Sequence, residues 1–428
     1  MTPERQGGRP RFGELLGRLR LDLGPLRESP NFRRLWLGQT VSFIGSEIAY
    51  VALSYQVYAL TGSTLDVGLL ALAQLVPLLT LTLVGGAFAD VFDRRRLMLL
   101  QQTGMIVGGG IALANAALPH PQAWPCFLAT LVDALAFAFG IGAQGALLPR
   151  LVADDQLAAA NNLNSLISSL GGVAGPALAG VIIAGPGLTT AYAINTATFF
   201  ATLVAVAKLP PLKPAGDPES RPSFRSVVDG FRFIRSRPVI LGFMLVDTNA
   251  MIFGMPTALF PALATHRFHD PSVVGYLYAS TSAGALVLSA LGGWAGHVRR
   301  QGLVVVVSAA IWGVAIAAFG FADRLWLALL LLAIAGGADL VSAVLRGTML
   351  LELTPDSLRG RLNGIEFAQV AAAPSLGNLE AGAVATLTSI RASIVSGGIA
   401  CVAGCVLLAL AFPALIRYDS RAREPAVA

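Results

Sequence analysis

Five carboxylates stand inside long apolar runs of the 428-residue chain: Glu47, Asp133, Asp247, Asp339 and Glu380. A sixth, Glu366, and one cation, Arg346, share such surroundings. A charge at the centre of a bilayer costs about 2.5 to 3.5 kcal/mol on insertion scales, so it normally faces a partner or a water-filled cavity. A carboxyl that alternates there between protonated and ionised forms is what proton coupling requires. Each charge carried through the membrane potential is worth about 2.3 kcal/mol per 100 mV. Other chemistry is not indicated. Cys126, Cys401 and Cys405 lie in apolar runs without disulfide or metal spacing. No G-x-x-x-x-G-K-[ST] phosphate loop is present, and His266 and His269 fall in a connector where solvation is expected. Neither an enzyme activity, nor a metal, nor a cofactor is expected.

Composition says what must position these acids. The chain is 55% apolar and 13% charged, against about 25% charged in soluble proteins, which is the balance of a membrane protein. A crossing takes about 20 apolar residues. Runs at 35–60, 67–89, 97–118, 123–148, 159–183, 188–207, 239–262, 273–296, 303–321, 325–348, 362–386 and 393–416 predict twelve transmembrane helices. They are too long and too rich in Gly for the alternating strands of a membrane barrel. All of the 30 Lys and Arg except Arg267, Arg324 and Arg391 fall on the side holding both termini, so the positive-inside rule predicts cytoplasmic termini. The net charge of +6 is then a mark of topology, not a nucleic-acid patch.

The spans divide six and six around a Pro-rich, charged connector. Residues 1–31 read as a cytoplasmic N-terminal segment without a cleaved signal, 32–209 as one six-helix bundle, 210–238 as a cytoplasmic linker, 239–416 as a second bundle and 417–428 as a tail. In the linker, Phe224, Val227, Val228, Phe231 and Ile234 share a helical face, with Arg225, Arg232 and Arg235 available to lipid headgroups. Phe12 to Leu26 reads the same way. Gly85–Asp90 before Arg94 and Arg95 is echoed by Gly292–His297 before Arg299 and Arg300, and Leu151–Leu157 by Leu353–Leu358. The two echoes lie at nearly one offset, which indicates a duplicated unit of the kind secondary transporters use.

Gly86, Asp90, Arg94, Arg95 and Arg96 follow span 2 as GAFADVFDRRR. The run resembles the signature loop of the major facilitator superfamily, G-x-L-x-D-[RK]-x-G-[RK]-[RK], with Phe88, Val91 and Asp93 at three departures. Such a charge cluster would lock the cytoplasmic side shut. Arg359 and Arg361 in LRGRL are candidate members of that gate, as partners of Asp356 or of the latch on the other half. Span 5 carries GGVAGPALAG, with Gly171, Gly175, Pro176 and Gly180. It resembles the G-x-x-x-G-P-x-x-G-G motif of the drug-antiporter branches, with Ala179 in place of one Gly. Small residues there permit close helix contact and the Pro bends the span; the resemblance implies export.

Span 1 and the stretch Pro355 to Glu380 are similar to the enterobactin-exporter-like branch, also called transmembrane secretion effectors. Glu47 follows Gly45 and Ser46 where that branch often has Gly then Asp. The likeness runs from Asn31 to Leu415. It implies an all-α membrane protein with twelve transmembrane helices in two pseudo-symmetric six-helix bundles. Glu47, Asp133, Asp247 and Asp339 then fall one each on the four helices lining the central cavity, with Glu380 near the outer end of span 11. Asp339 and Arg346, seven apart, share roughly one face, so Asp339 either faces Arg346 through a polar group or water or takes part in coupling or substrate contact. Gln39, Gln56 and Asn249 are too few for a sugar site. Trp36, Trp124 and Trp326 read as interface anchors.

The expected function is secondary active export of small, partly apolar compounds, drugs or siderophore-like metabolites, across the cytoplasmic membrane. Proton antiport with alternating access would drive it, with the proton gradient as energy source. A monomer is expected, in contact with lipid and a small-molecule substrate and with no nucleic acid. Nutrient uptake or facilitation, lipid translocation and a non-transporting sensor remain the alternatives.

Overall fold

The computed structural model describes residues 22–91, 93–145, 147–210, 224–291, 296 and 298–420, without the side chains of residues 81–91, 141–145, 224–227 and 357. Among these, twelve helices of 16 residues or more follow one another: α1 (Pro30–Thr61), α2 (Thr64–Val91), α3 (Arg94–Ala116), α4 (Trp124–Gly145), α5 (Leu157–Ala184), α6 (Leu188–Ala207), α7 (Pro238–Phe253), α8 (Val273–Ala290), α9 (Gln301–Phe319), α10 (Leu325–Leu353), α11 (Asp356–Leu387) and α12 (Ile390–Ala411). The all-helical, twelve-span architecture expected from the apolar runs is what the described residues adopt.

Local chemistry sets the helix ends. Ser29 Oγ accepts from the Phe32 amide 3.2 Å away and Pro30 opens α1, an N-terminus satisfied by a side chain with a preset φ. Gly62 at φ 66° closes the same helix in the left-handed region. The Asp93 carboxylate caps α3 by accepting from the Arg95 and Arg96 amides. Twelve successive antiparallel helices bring the start of α1 and the end of α12 to one end of the bundle. That end is the terminal end; the opposite one is the far end.

Span 7 departs from the sequence expectation of one run over 239–262. Helix α7 stops at Phe253, and a 3-10 turn at Thr257–Leu259 leads into a short helix, Phe260–His266. Pro256 cannot donate a backbone hydrogen bond, and the interruption frees polar groups that lipid would not satisfy. Neighbouring helices supply the partners. Asn378 Oδ1 on α11 accepts from Thr257 Oγ1 (2.6 Å) and the Ala258 amide (2.8 Å), and Trp312 Nε1 on α9 donates to the Gly254 carbonyl (3.0 Å).

Helices α1 to α6 pack mainly on one another, as do α7 to α12, and the two groups meet along α2 with α11 and α5 with α8. Gly180 and Gly275 bring α5 and α8 into backbone contact: a methyl group at Gly275 would collide with the Pro176 carbonyl and the Gly180 backbone. At the far end, Thr64 Oγ1 donates to the Gly382 carbonyl (3.1 Å) and lies 3.2 Å from Thr386 Oγ1. His266 Nε2 and Tyr58 Oη are 2.8 Å apart, with their rings edge to face. His266, expected to be solvated, therefore bonds across the two halves. The break in span 7 carries it back over α1. On the same face Arg267 donates to the Gly320 carbonyl (2.8 Å) and pairs with Asp323 (3.2 Å). Partial burial lowers the pKa of this guanidinium from its ordinary value.

The linker helix forms as Phe224–Ser236. Ile234 is buried against the second half, Gly230 lies against Ile365 of α11, and Phe231 and Val228 are exposed. Of that apolar face, the described residues are thus split between protein and surroundings. Phe12 to Leu21 and most of the repeat at Gly292–His297 lie outside the described residues. Trp124 and Trp326 are exposed near the far end, as anchors would be, whereas Trp36 is half-buried.

Candidate functional site

A cavity of about 310 Å³ opens between the halves, lined mostly by the first. Helix α1 contributes Glu47 and Tyr50, α4 contributes Asp133 and Phe137, and α6 contributes Asn195 and Phe199. From the second half, Thr257, Tyr278 and Asn378 close it on the far side. Tyr278 Oη donates to the Thr257 carbonyl (3.0 Å) and stacks edge to face on Tyr50, with ring centres 5.6 Å apart. The broken span 7 thus supplies part of the lid over the cavity.

Glycines seat both acids. A methyl group at Gly175 would collide with Glu47 Cβ, and one at Gly108 with the Asp133 carboxylate. Asp133 Oδ1 and Asn195 Oδ1 have no hydrogen-bond partner among the described residues. Among those residues, no Lys, Arg or His lines the cavity. Two carboxyls, an amide oxygen and aromatic rings without a cation form an acceptor-rich, partly apolar site. A cation or a donor-bearing aromatic compound fits that chemistry.

The other acids are placed differently. Asp247 on α7 is 5% exposed and forms an ion pair with Arg346 of α10, itself 7% exposed. Gln369 Nε2 on α11 donates to Asp247 Oδ2 (3.0 Å) and to the Met244 carbonyl (2.9 Å). Glu366 lies within electrostatic reach of Arg346. Of the two readings of Asp339, a direct partnership with Arg346 is not the one seen: among the described residues Arg346 pairs with Asp247 on the neighbouring helix. Asp339 and Glu380 are half-buried and line neither this cavity nor the second one described below.

Of the gate residues, Gly86 and Asp90 lie in the part of α2 whose side chains are not described. Arg94, Arg95 and Arg96 form the first turn of α3, where Arg95 Nη2 donates to the Ala207 carbonyl at the end of α6. Arg359 pairs with Asp356 (2.7 Å) and Arg361 with Asp229 of the linker helix (3.7 Å). Arg359 thus takes Asp356, one of the two partners the sequence offered, and Arg361 turns to the linker helix; Asp90 of the latch lies among the side chains not described. In the packing motif, Gly171 faces the Phe43 ring, Gly175 faces Glu47, and Pro176 and Gly180 face α8. The motif therefore shapes both the cavity and the contact between halves.

Sequence reading singled out Gln56 and Asn249 as cavity groups, yet Gln56 accepts from Tyr192 Oη (2.7 Å) and Asn249 donates to the Cys401 carbonyl (2.8 Å). Both are structural. It missed Asn195 and the rings of Tyr50, Phe137, Phe199 and Tyr278, which stand in apolar runs as ordinary core residues do.

A family model described as transmembrane secretion effector matches residues 21–427. The chain is 31% identical over 406 residues to a protein named enterobactin exporter EntS from Citrobacter koseri, covering 95% of this chain and 96% of that one. It is 30% identical to the protein of that name from Shigella boydii, covering 93% and 95%. Among solved structures, a point mutant of the nucleoside transporter NupG superposes with a TM-score of 0.71 at 15% identity, covering 90% of this chain and 100% of that one. A point mutant of the peptide transporter POT gives 0.71 at 13%, covering 91% and 95%. At these identities the two crystal structures speak for the fold alone.

Proposed function

We propose that this chain, which belongs to the transmembrane secretion effector family of major facilitator transporters, exports small, partly apolar, donor-bearing compounds in exchange for protons. The observation carrying this reading is the cavity in which Glu47 and Asp133 face aromatic rings with no cation among the described lining residues to neutralise them. Relatives named as enterobactin exporters favour a siderophore-like cargo and the outward direction. With the termini in the cytoplasm of the inner membrane, the contacts Tyr58 to His266 and Thr64 to Thr386 shut the external side. Substrate then enters from inside and meets the two carboxyls. A donor-bearing substrate and a proton compete for the same oxygens, so protonation on the external side releases the cargo and deprotonation on the internal side restores the site. Alternation between the two states requires the far-end contacts to part while the terminal end closes.

The test is transport in proteoliposomes of tetraphenylphosphonium and, separately, of enterobactin. An imposed proton gradient should drive accumulation of at least one by the intact protein. Glu47→Gln and Asp133→Asn should abolish the driven flux while leaving substrate–substrate exchange measurable. Driven flux that survives both substitutions refutes coupling at these acids. No flux of either compound refutes the substrate class.

A further inference from the structure

A second cavity, of about 400 Å³, continues from the first toward the terminal end, and its described lining residues all belong to the first half. The two share Phe43 and Ser46 of α1, Met105 of α3, Phe137 of α4 and Phe199 of α6. Residues of α1 before Phe43 line only the second cavity and those after Ser46 only the first. The shared residues therefore form a collar between two chambers in series. Phe43 takes its place in that collar because Gly171 leaves room for its ring.

The lining changes across the collar. Beyond it, among the described residues, no Asp, Glu, Lys, Arg or His lines the chamber; Gln39, Gln101, Gln102, Asn161 and Asn164 do, with Ser42 and Ser168. Gln102 is 4% exposed and its Oε1 has no hydrogen-bond partner among the described residues, and neither has Asn164 Oδ1. A buried amide oxygen left unpaired costs about 1 to 3 kcal/mol, a penalty that a ligand N–H or O–H removes. Uncharged amides select against ions, because they provide no counter-charge to offset desolvation.

We infer that this chamber is a second ligand site, which takes the uncharged, hydroxyl- or amide-bearing part of a substrate whose aromatic part lies in the collar. Gln102 and Asn164 are its acceptors. The inference rests on the transporter reading and names the substrate class that reading leaves open: a bipartite molecule with an aromatic waist, a neutral polar head toward the terminal end and a donor-bearing or cationic end at Glu47 and Asp133. It also gives Gly171 a part in substrate selection, since a methyl group there would push Phe43 into the passage.

Equilibrium binding to the full-length protein in nanodiscs tests it, independently of any transport or proton coupling. Two labelled probes are used: N-benzoylserinamide, neutral and donor-rich, and tetraphenylphosphonium, a cation without donors. Gln102→Leu and Asn164→Leu should each weaken the neutral probe about tenfold and leave the cation within twofold, which also shows that the variants are folded. Asp133→Asn should do the reverse. Unchanged binding of the neutral probe in both Leu variants overturns the proposal, as does parallel loss of both probes in both. If transport proves uncoupled from protons while these selective losses hold, only the coupling reading fails.

Discussion

Replacing Asp247 by Asn leaves the Arg346 guanidinium charged in a site where both groups are almost fully buried. Breaking a buried pair by removing one partner costs about 3–5 kcal/mol. Two features of the site pull the figure toward the lower bound: Gln369 remains to bond an Asn side chain, and Glu366 can offset part of the charge. The converse change, Arg346→Gln, should cost less. An orphaned carboxylate can shed its charge by taking a proton, whereas an orphaned guanidinium cannot. The double variant Asp247→Asn/Arg346→Gln carries no charge to strand and should regain most of the loss, for a coupling energy of about 2–3 kcal/mol. The assay is equilibrium unfolding in mixed micelles with increasing dodecyl sulfate, followed by circular dichroism, on the four proteins of the cycle. Additive single effects, or a double variant less stable than Asp247→Asn alone, would refute the assignment of Asp247 as the structural counter-ion of Arg346.

The same unfolding assay should place Asn378→Leu about 1–3 kcal/mol below the intact protein, because Thr257 Oγ1 and the Ala258 amide lose their acceptor; Asn378→Asp keeps an oxygen there and should recover most of it. Gly275→Ala, which meets backbone atoms of α5, should destabilise by about 1–3 kcal/mol. Gly110→Ala meets nothing within 4 Å and should be neutral or stabilising by up to about 1 kcal/mol. Tyr58→Phe removes a bond between the halves and should shift the population toward a parted far end by about two- to tenfold, read as a longer-distance component between spin labels at Thr61 and Leu387.

Span number and span order were open to reading because lipid demands long apolar runs, and little else in a sequence produces them. The break in span 7 was hidden for the same reason. Gly254-Met255-Pro256 is as apolar as its flanks, and the groups that make the interruption tolerable, Asn378 and Trp312, are far away in the chain. The acids were visible as exceptions to composition, but their roles depend on neighbours. Glu47 and Asp133 reach the cavity because Gly175 and Gly108 on other helices give way, and Asp247 does not because Arg346 holds it. A lone Arg in an apolar span announces that it needs a partner; periodicity on its own helix pointed to Asp339, while the partner came from α7. Of the amides of the second chamber only Gln39 stood out in the sequence; the others gave no signal, since Gln and Asn within a membrane helix serve equally to bind a neighbour, as Gln56 and Asn249 do here.

The central claim is that substrate and proton compete for Glu47 and Asp133. It is tested most directly by titrating tetraphenylphosphonium into the purified protein in weakly buffered solution and recording the pH. Saturable proton release that parallels binding, and that disappears in the Glu47→Gln/Asp133→Asn double variant while N-benzoylserinamide still binds, is the predicted result. Saturable binding of the cation by the intact protein without proton release, or release that persists in the double variant, would contradict it.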